Sequence, residues 1–183
     1  MQRLVNLGFF WISCLITTLA IIAASNYAFF PNPQPASMQF QIRKAELSRG
    51  IEDGWMRKPT TLAEVRFDLT ADFTPMFHWN AKQIYLYVVL EYSTPQNQRN
   101  EMIIWDKIIQ SPAITGYGDG GRFSTRNARN KYPIADINDA LNGVTGRVSV
   151  RWNIVPNVGR LAFASKGQHN QAFPVAFAKG PKQ

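Results

Sequence analysis

The clearest pattern in the chain is an N-terminal stretch without charge. It extends from Leu4 to Phe30, and the next charged residue is Arg43. At the helical rise of about 1.5 Å per residue this stretch spans about 40 Å, which exceeds the roughly 30 Å of hydrocarbon in a bilayer. The pattern predicts a transmembrane helix over residues 9–30, preceded by a short N-terminal segment at residues 1–8.

A cleaved secretory signal is the alternative interpretation of this stretch. The small residues at 23–25 would suit a cleavage site, but the hydrophobic region of a signal peptide runs only about 7 to 15 residues. The apolar stretch continues through Tyr27 to Phe30, and aromatic residues of this kind suit a membrane interface. We therefore favour an uncleaved anchor. Charge does not decide its orientation, because basic residues are few and nearly balanced on the two sides.

Residues 31–37 are predicted to form a spacer, because three prolines at alternating positions favour an extended chain and prevent the helix from continuing. Residues 38–183 follow. Their number is typical of one domain with its own hydrophobic core.

The apolar positions of this domain recur every second residue, which predicts strands rather than helices. Val65, Phe67 and Leu69 alternate with polar residues, and the segment 147–155 repeats the pattern. The runs 84–92 and 102–109 are continuously apolar and predict central strands buried on both faces. With segments near residues 40, 160 and 172, about seven strands are predicted. The expected fold is mostly β, a single β-sandwich preceded by one transmembrane helix.

Two segments between the strands carry other predictions. Residues Ile134 to Gly143 are predicted to form a short helix, with Asp136 as its N-cap and Gly143 as its stop. Residues 110–131 contain many Gly, Ser and Asn residues and predict a long flexible loop.

Composition excludes several classes of protein. The chain has one Cys and two His among 183 residues, so neither a disulfide framework nor a zinc cage is expected, and we predict no metal and no cofactor. Aromatic residues make up 13% of the chain, which is enough to order a core and argues against intrinsic disorder.

The domain is basic. Of the 20 Lys and Arg residues only Arg3 precedes residue 43, so 19 basic residues face 12 acidic ones. Arg122, Arg126, Arg129 and Lys131 form a cluster with no acidic residue among them. Such a cluster can bind phosphate, an acidic partner or anionic lipid, but it is more often a solvated surface, which we favour. No nucleic-acid-binding motif accompanies the charge, so nucleic acid is not expected as a partner.

Catalytic residues are not expected. The GxSxG motif of serine hydrolases is absent. His78 lies beside aromatic residues and is interpreted as structural, and His169 is interpreted as a loop residue. A Ser-Lys protease is a remote alternative: Ser37 precedes Met38, as in signal peptidases, but the proline two residues after the Met is missing.

Residues 67–109 and 150–161 together resemble subunit 3 of the eukaryotic signal peptidase complex. The order and spacing of the matching residues agree, and so do the size and the single N-terminal anchor. The matching residues are Phe77, Trp79, Asn80, Lys82, Gln83, Glu91, Tyr92, Ser93, Trp105, Asp106, Lys107, Ile108, Trp152, Asn153, Pro156 and Gly159.

The resemblance implies a non-catalytic accessory subunit of a hetero-oligomeric complex. It implies a single-pass type II protein of the endoplasmic reticulum membrane, with residues 1–8 in the cytosol and the sandwich at 38–183 in the lumen. The implied partners are the catalytic subunit, which carries the hydrolytic residues, and the other small membrane subunits. The chain departs from the family in lacking an Asn-x-Ser/Thr glycosylation sequon, and its segment 110–131 fits the family pattern poorly.

Eight of the matching residues are the candidates for the functional site. Trp79, Trp105 and Trp152 are predicted first as core residues, because each can bury about 150 to 250 Å². For Asn80, Lys82, Gln83, Asp106 and Asn153 two interpretations stay open: they tie loops to strand ends, or they face the catalytic subunit. The alternative function is an independent membrane-tethered module that binds a peptide at a sheet edge or an acidic partner on its basic surface.

Overall fold

A computed structural model describes residues 1–29, 34–50, 59–111, 120–163 and 172–177. Its first element is the α-helix α1 (Gln2–Phe29), which begins seven residues earlier than the predicted span. By length and composition its segment Gln2–Ser25 can cross a membrane. The last residue of the predicted helix and residues 31–33 of the proline spacer lie outside the described residues, and Ser37, the predicted end of the spacer, begins the first strand.

Within the described ranges, nine strands and one short 3-10 helix, Thr74–Met76, follow α1. The strands are β1 (Ser37–Gly50), β2 (Thr60–Asp72), β3 (Ala81–Tyr92), β4 (Asn100–Gln110), β5 (Arg122–Arg129), β6 (Ile134–Ala135), β7 (Thr145–Pro156), β8 (Ala162–Phe163) and β9 (Ala172–Ala176). All seven predicted strands are present, and β5 and β6 are additional.

The strands form two antiparallel sheets. In the first sheet β2 is central, with β1 on one side and β5 and β6 on the other. In the second sheet the order is β4-β3-β7, and β8 and β9 both pair with the far edge of β7. We call this second sheet the β3 sheet. The prediction that 102–109 is a central strand is wrong, because β4 lies at the edge of this sheet.

The core lies between the two sheets and is filled by alternate residues of the central strands. Val65, Phe67 and Leu69 of β2 are fully buried, as the alternation predicts. Aromatic rings connect the sheets: Phe67 packs edge-to-face on Trp105 of β4 with centroids 5.7 Å apart. Phe123 of β5 also contacts Trp105, at 5.7 Å. The predicted β-sandwich is confirmed.

The predicted helix over residues 134–143 is wrong. Ile134 pairs with Ala63 as part of β6 and is fully buried. Asp136 does not cap a helix; its carboxylate accepts the backbone N–H groups of Asn138 and Ala140, at 3.0 and 3.2 Å, and so forms a turn. Asp139 has a positive φ of 53°, which is incompatible with a continuing right-handed helix.

The predicted loop over residues 110–131 is wrong in its second half, where β5 pairs with β2. Sequence analysis missed this strand because a bulge interrupts the alternation of its inward and outward side chains. Asn127 sits in this bulge with a φ of 51°, and its N–H donates to the carboxylate of Asp68 at 2.8 Å. Residues 112–119 lie outside the described residues.

Candidate partner-binding surface

The structure separates the eight candidate residues into three places. Trp105, Trp152 and Asn80 are buried; Gln83, Asp106 and Asn153 lie on the outward side of the β3 sheet; Trp79 and Lys82 are exposed at the start of β3. The outward placement follows from alternation, since neighbours such as Ile84 and Trp152 point into the core.

The prediction of core packing is confirmed for two tryptophans and wrong for the third. Trp152 is 2% exposed and its ring lies 6.1 Å from that of Phe73. Trp105 joins the sheets, as described above. Trp79, in contrast, is 63% exposed, because it lies in the turn before β3, where strand alternation does not place a side chain.

Asn80 ties the turn before β3 to the turn after β7. Its side-chain N–H₂ donates to the carbonyl of Val158 at 2.8 Å, and its side-chain oxygen accepts the N–H of Val158 at 3.0 Å. Its backbone carbonyl accepts the N–H of Asn157 at 2.8 Å. Asn80 is buried, so these contacts satisfy polar groups that water does not reach. The structural interpretation of Asn80 therefore accounts for its contacts.

His78 takes part in the same turn. The backbone N–H of Asn80 donates to its Nδ1 at 3.3 Å. Burial lowers the pKa of His78, which favours the neutral ring that can accept this bond. His169 lies outside the described residues, and within the described ranges no group of three or more His, Cys, Asp or Glu side chains could hold a metal ion.

Asp106 joins the edge strand β4 to the connection between β5 and β6. Its carboxylate lies 3.0 Å from Lys131 Nζ and accepts a hydrogen bond from the Tyr132 hydroxyl at 3.1 Å. The backbone N–H groups of Lys131 and Tyr132 donate to the carbonyl of Ile104 at the same edge. Lys131 also lies over the Trp105 ring, 5.5 Å from its centroid. Asp106 therefore holds a loop to a strand.

A buried pair links the motif residue Tyr92 to the segment after β6. The Tyr92 hydroxyl donates to the Asp136 carboxylate at 3.1 Å. Burial, followed by the charge of Asp136, raises the pKa of Tyr92 to about 12.

We expect Tyr92→Phe to lower the free energy of unfolding by about 1 to 3 kcal/mol, because it removes a hydrogen bond to a buried carboxylate. The raised pKa gives the effect a pH dependence: the unfolded tyrosine ionises near pH 10, so the advantage of the unaltered chain is complete below pH 10 and shrinks as the pH rises towards about 12. Chemical denaturation of both chains from pH 7 to 12 measures it. A constant difference over this range would contradict the assignment.

The basic cluster is largely neutralised by acidic residues from other strands. Arg122 pairs with Asp72 at 3.3 Å and Arg129 with Glu64 at 3.0 Å. Lys131 pairs with Asp106, as noted above. Acidic residues that are distant in sequence therefore meet three of the four cations, which supports the solvated interpretation of the cluster over a ligand site.

The outward side of the β3 sheet has a charged part and a largely apolar part. In the charged part Arg151 forms ion pairs with Glu91 and Glu101. The largely apolar part lies beside it. We call this apolar part the outer face and define it by the side chains of Gln83, Tyr85, Tyr87, Ile103, Asp106, Ile108, Asn153 and Phe163. Ile108, Tyr85, Asn153 and Phe163 are register partners in one row across four strands. Ile103, Ile108 and Phe163 are 41%, 48% and 56% exposed. The rings of Tyr85 and Tyr87 stack with centroids 5.1 Å apart.

This surface has the composition of a protein-binding site. Aromatic and aliphatic side chains dominate it, while polar groups such as Gln83 and Asn153 are interspersed. Sequence analysis named these two polar residues and Asp106 as candidates, and Ile108 only as a matching residue, but it missed Tyr85, Tyr87 and Ile103. Their signal was present, because the runs 84–92 and 102–109 have the apolar content of strands covered on both faces.

Comparison with known proteins identifies the family. The sequence profile of a family described as "Signal peptidase subunit" matches residues 1–176, which include α1 and both sheets. The chain belongs to this signal peptidase subunit family.

Curated relatives in this family share the same name. "Signal peptidase complex subunit 3" of Gallus gallus is 37% identical over 157 residues, covering 83% of this chain and 84% of the relative. The protein of that name from Saccharomyces cerevisiae is 30% identical over 168 residues, covering 88% of each chain. The one from Drosophila melanogaster is 36% identical over 135 residues and 72% of each chain. The expected resemblance to the signal peptidase subunit family is therefore confirmed.

Proposed function

We propose that this chain is a non-catalytic accessory subunit of a signal peptidase complex, and that its outer face binds the lumenal domain of the catalytic subunit. The names of its relatives support the first part, because each is called a subunit of that complex. The exposed apolar row on the β3 sheet supports the second part.

The mismatch between sequence and exposure carries this proposal. Residues 102–109 have the composition of a strand buried on both faces, yet Ile103 and Ile108 of β4 face outward and are exposed. Exposing large aliphatic side chains on one face of a strand is unfavourable in water, at roughly 25 cal/mol per Å² of apolar surface. A partner that covers the outer face removes that cost.

The anchor determines where the sandwich acts. In the proposed topology α1 crosses the membrane of the endoplasmic reticulum once, with the N-terminus in the cytosol and the sandwich in the lumen. The helix also adds a membrane segment to the complex, where the other small subunits are the proposed neighbours. The sandwich contributes support for the catalytic subunit and its active site, and the hydrolytic residues belong to that partner.

A charge placed on the outer face tests the proposal. We expect Ile108→Asp to reduce recovery of the catalytic subunit at least about tenfold in mild-detergent purification of the tagged full-length chain, because a desolvated, unpaired carboxylate costs more than the 1.4 kcal/mol that a tenfold change represents. Recovery is measured by quantitative mass spectrometry. The matched control is Ile137→Asp, since Ile137 is 82% exposed and lies in the turn after β6, off the outer face.

The two variants separate the outcomes. Unchanged recovery with Ile108→Asp would exclude this part of the outer face as the interface. If the unaltered chain is recovered alone, folded and monomeric, the accessory role itself is wrong. Thermal unfolding of both variants should match that of the unaltered chain, because both side chains are exposed.

A further inference from the structure

One end of the sandwich is tied to the membrane anchor by the covalent chain. Ala36, just before β1, donates its N–H to the carbonyl of Asp72 at 2.8 Å. At the same end the Asn157 N–H donates to Asn80, and the Ser111 N–H donates to Lys82 at 3.0 Å. We call this the anchor-proximal end and define it by residues 36, 72–82, 111 and 156–161.

The length of the connection limits how far this end can lie from the bilayer. Only residues 30–36 separate the end of α1 from the start of β1. Fully extended, they span about 30 Å at most. The opposite end of the sandwich, where Asp139 accepts the Thr61 N–H at 2.6 Å, is about 40 Å further along the length of β2. The anchor-proximal end is therefore the end that can reach the bilayer.

The exposed side chains at this end suit a bilayer surface. Trp79 is the most exposed described tryptophan of the sandwich, and Leu161 is exposed in the connection from β7 to β8. Lys82, at the start of β3, and Arg160, in the connection after β7, are exposed near them in sequence. Among the described residues of this end, the carboxylate of Asp72 is already paired with Arg122. Trp partitions into the headgroup layer, and Lys and Arg bind lipid phosphates there.

The backbone at Trp79 is held in place by its neighbour. The next residue, Asn80, is buried and fixed by two side-chain hydrogen bonds to Val158. The indole therefore projects from a rigid base, and placing it in the headgroup layer costs little backbone entropy.

We propose that the anchor-proximal end rests on the phospholipid surface, with Trp79 inserted among the headgroups and with Lys82 and Arg160 at the phosphates. This contact fixes the orientation of the sandwich relative to the membrane. It requires α1 to be in a bilayer but does not require the catalytic subunit, so it can fail independently of the proposed function.

Lipid quenching of tryptophan fluorescence tests the proposal on the full-length chain in phosphatidylcholine vesicles. Trp11→Phe and Trp55→Phe remove the tryptophan of α1 and that of the undescribed segment 51–58. The emission of Trp79 is the part of the signal that Trp79→Ala removes. We expect brominated phosphatidylcholine to quench this emission by at least about half, because the indole would lie at the interface. We expect Lys82→Glu with Arg160→Glu to weaken the quenching.

The matched control moves the fluorophore to the other end. Ile137→Trp in the Trp79→Ala chain places an exposed tryptophan in the turn after β6, and we expect brominated lipid to leave its emission unchanged while aqueous acrylamide quenches it. If the emission of Trp79 is as insensitive to brominated lipid as that of the control, the proposal is wrong. Shielding of Trp79 that arises only when the catalytic subunit is added would also overturn it, because the occupant would then be a protein. The unfolding temperature of Trp79→Ala shows whether that variant is folded.

Discussion

Replacement of Trp152 by alanine is expected to lower the free energy of unfolding of the sandwich by about 3 to 5 kcal/mol, because it removes a large buried ring and leaves a cavity. Trp152 lies on β7, is almost fully buried, and packs near Phe73, the residue that follows β2 of the other sheet. A loss of this size is a large share of the 5 to 15 kcal/mol that typically stabilises a domain. Urea denaturation of the full-length chain in detergent, followed by circular dichroism, measures it.

Trp79→Ala is the control for this prediction, because it deletes the same side chain from an exposed position. We expect a change of less than about 0.5 kcal/mol. Both residues are tryptophans that match the family, so the two substitutions differ only in how deeply the deleted ring is buried. If the two variants lost equal free energies of unfolding, Trp79 would have to be packed in the domain rather than exposed.

Replacement of Asn80 by leucine is expected to cost about 2 to 4 kcal/mol. The substitution is close in volume but removes both side-chain hydrogen bonds, so the N–H and the carbonyl of Val158 both lose a partner that is buried. The two turns at the anchor-proximal end then lose the side chain that joins them. We therefore expect faster hydrogen exchange at the Val158 N–H in addition to the lower denaturation midpoint.

Two further variants separate the hydrogen bonds of Asn80 from its shape. Asn80→Asp keeps the oxygen that accepts the Val158 N–H and replaces the donor of the other bond with an acceptor, so we expect destabilisation here too. Asn157→Ala removes only a long bond of 3.4 Å to the Asn80 carbonyl and is expected to cost less than about 1 kcal/mol. A stable, fully protected Asn80→Leu variant would contradict the role assigned to Asn80.

The sandwich was predictable from sequence because its central strands obey simple alternation. Val65, Phe67 and Leu69 face the core at every second position, and the strand at 147–155 behaves in the same way. The strand β5 was not predictable, because the bulge at Asn127 shifts its register and few of its residues are large and apolar. For residues 134–143 the sequence predicted a helix that the structure does not contain. Asp136 and Gly143 are typical helix-end residues, but here the Asp136 carboxylate accepts hydrogen bonds from a turn and from Tyr92.

The candidate surface was predictable only in part. The sequence predicts the same buried position for all three tryptophans, Trp79, Trp105 and Trp152. Their actual exposure depends on a turn and on the packing of the two sheets. Strand order is a further unknown. The sequence of β4 is equally apolar whether a second strand or a partner protein covers it. Its position at the edge of the sheet is therefore known only from the strand order of the structure, in which β4 pairs with β3.

The short connection between α1 and β1 has a consequence for the affinity that the outer face needs. A tether of this length keeps the sandwich within tens of ångströms of any partner held beside α1, and short tethers produce effective concentrations in the millimolar range. At millimolar effective concentration, a contact with a dissociation constant as weak as about 10 μM would be occupied about 99% of the time. The domain could then be bound almost continuously in the complex and still show little affinity for the same partner when the helix is removed.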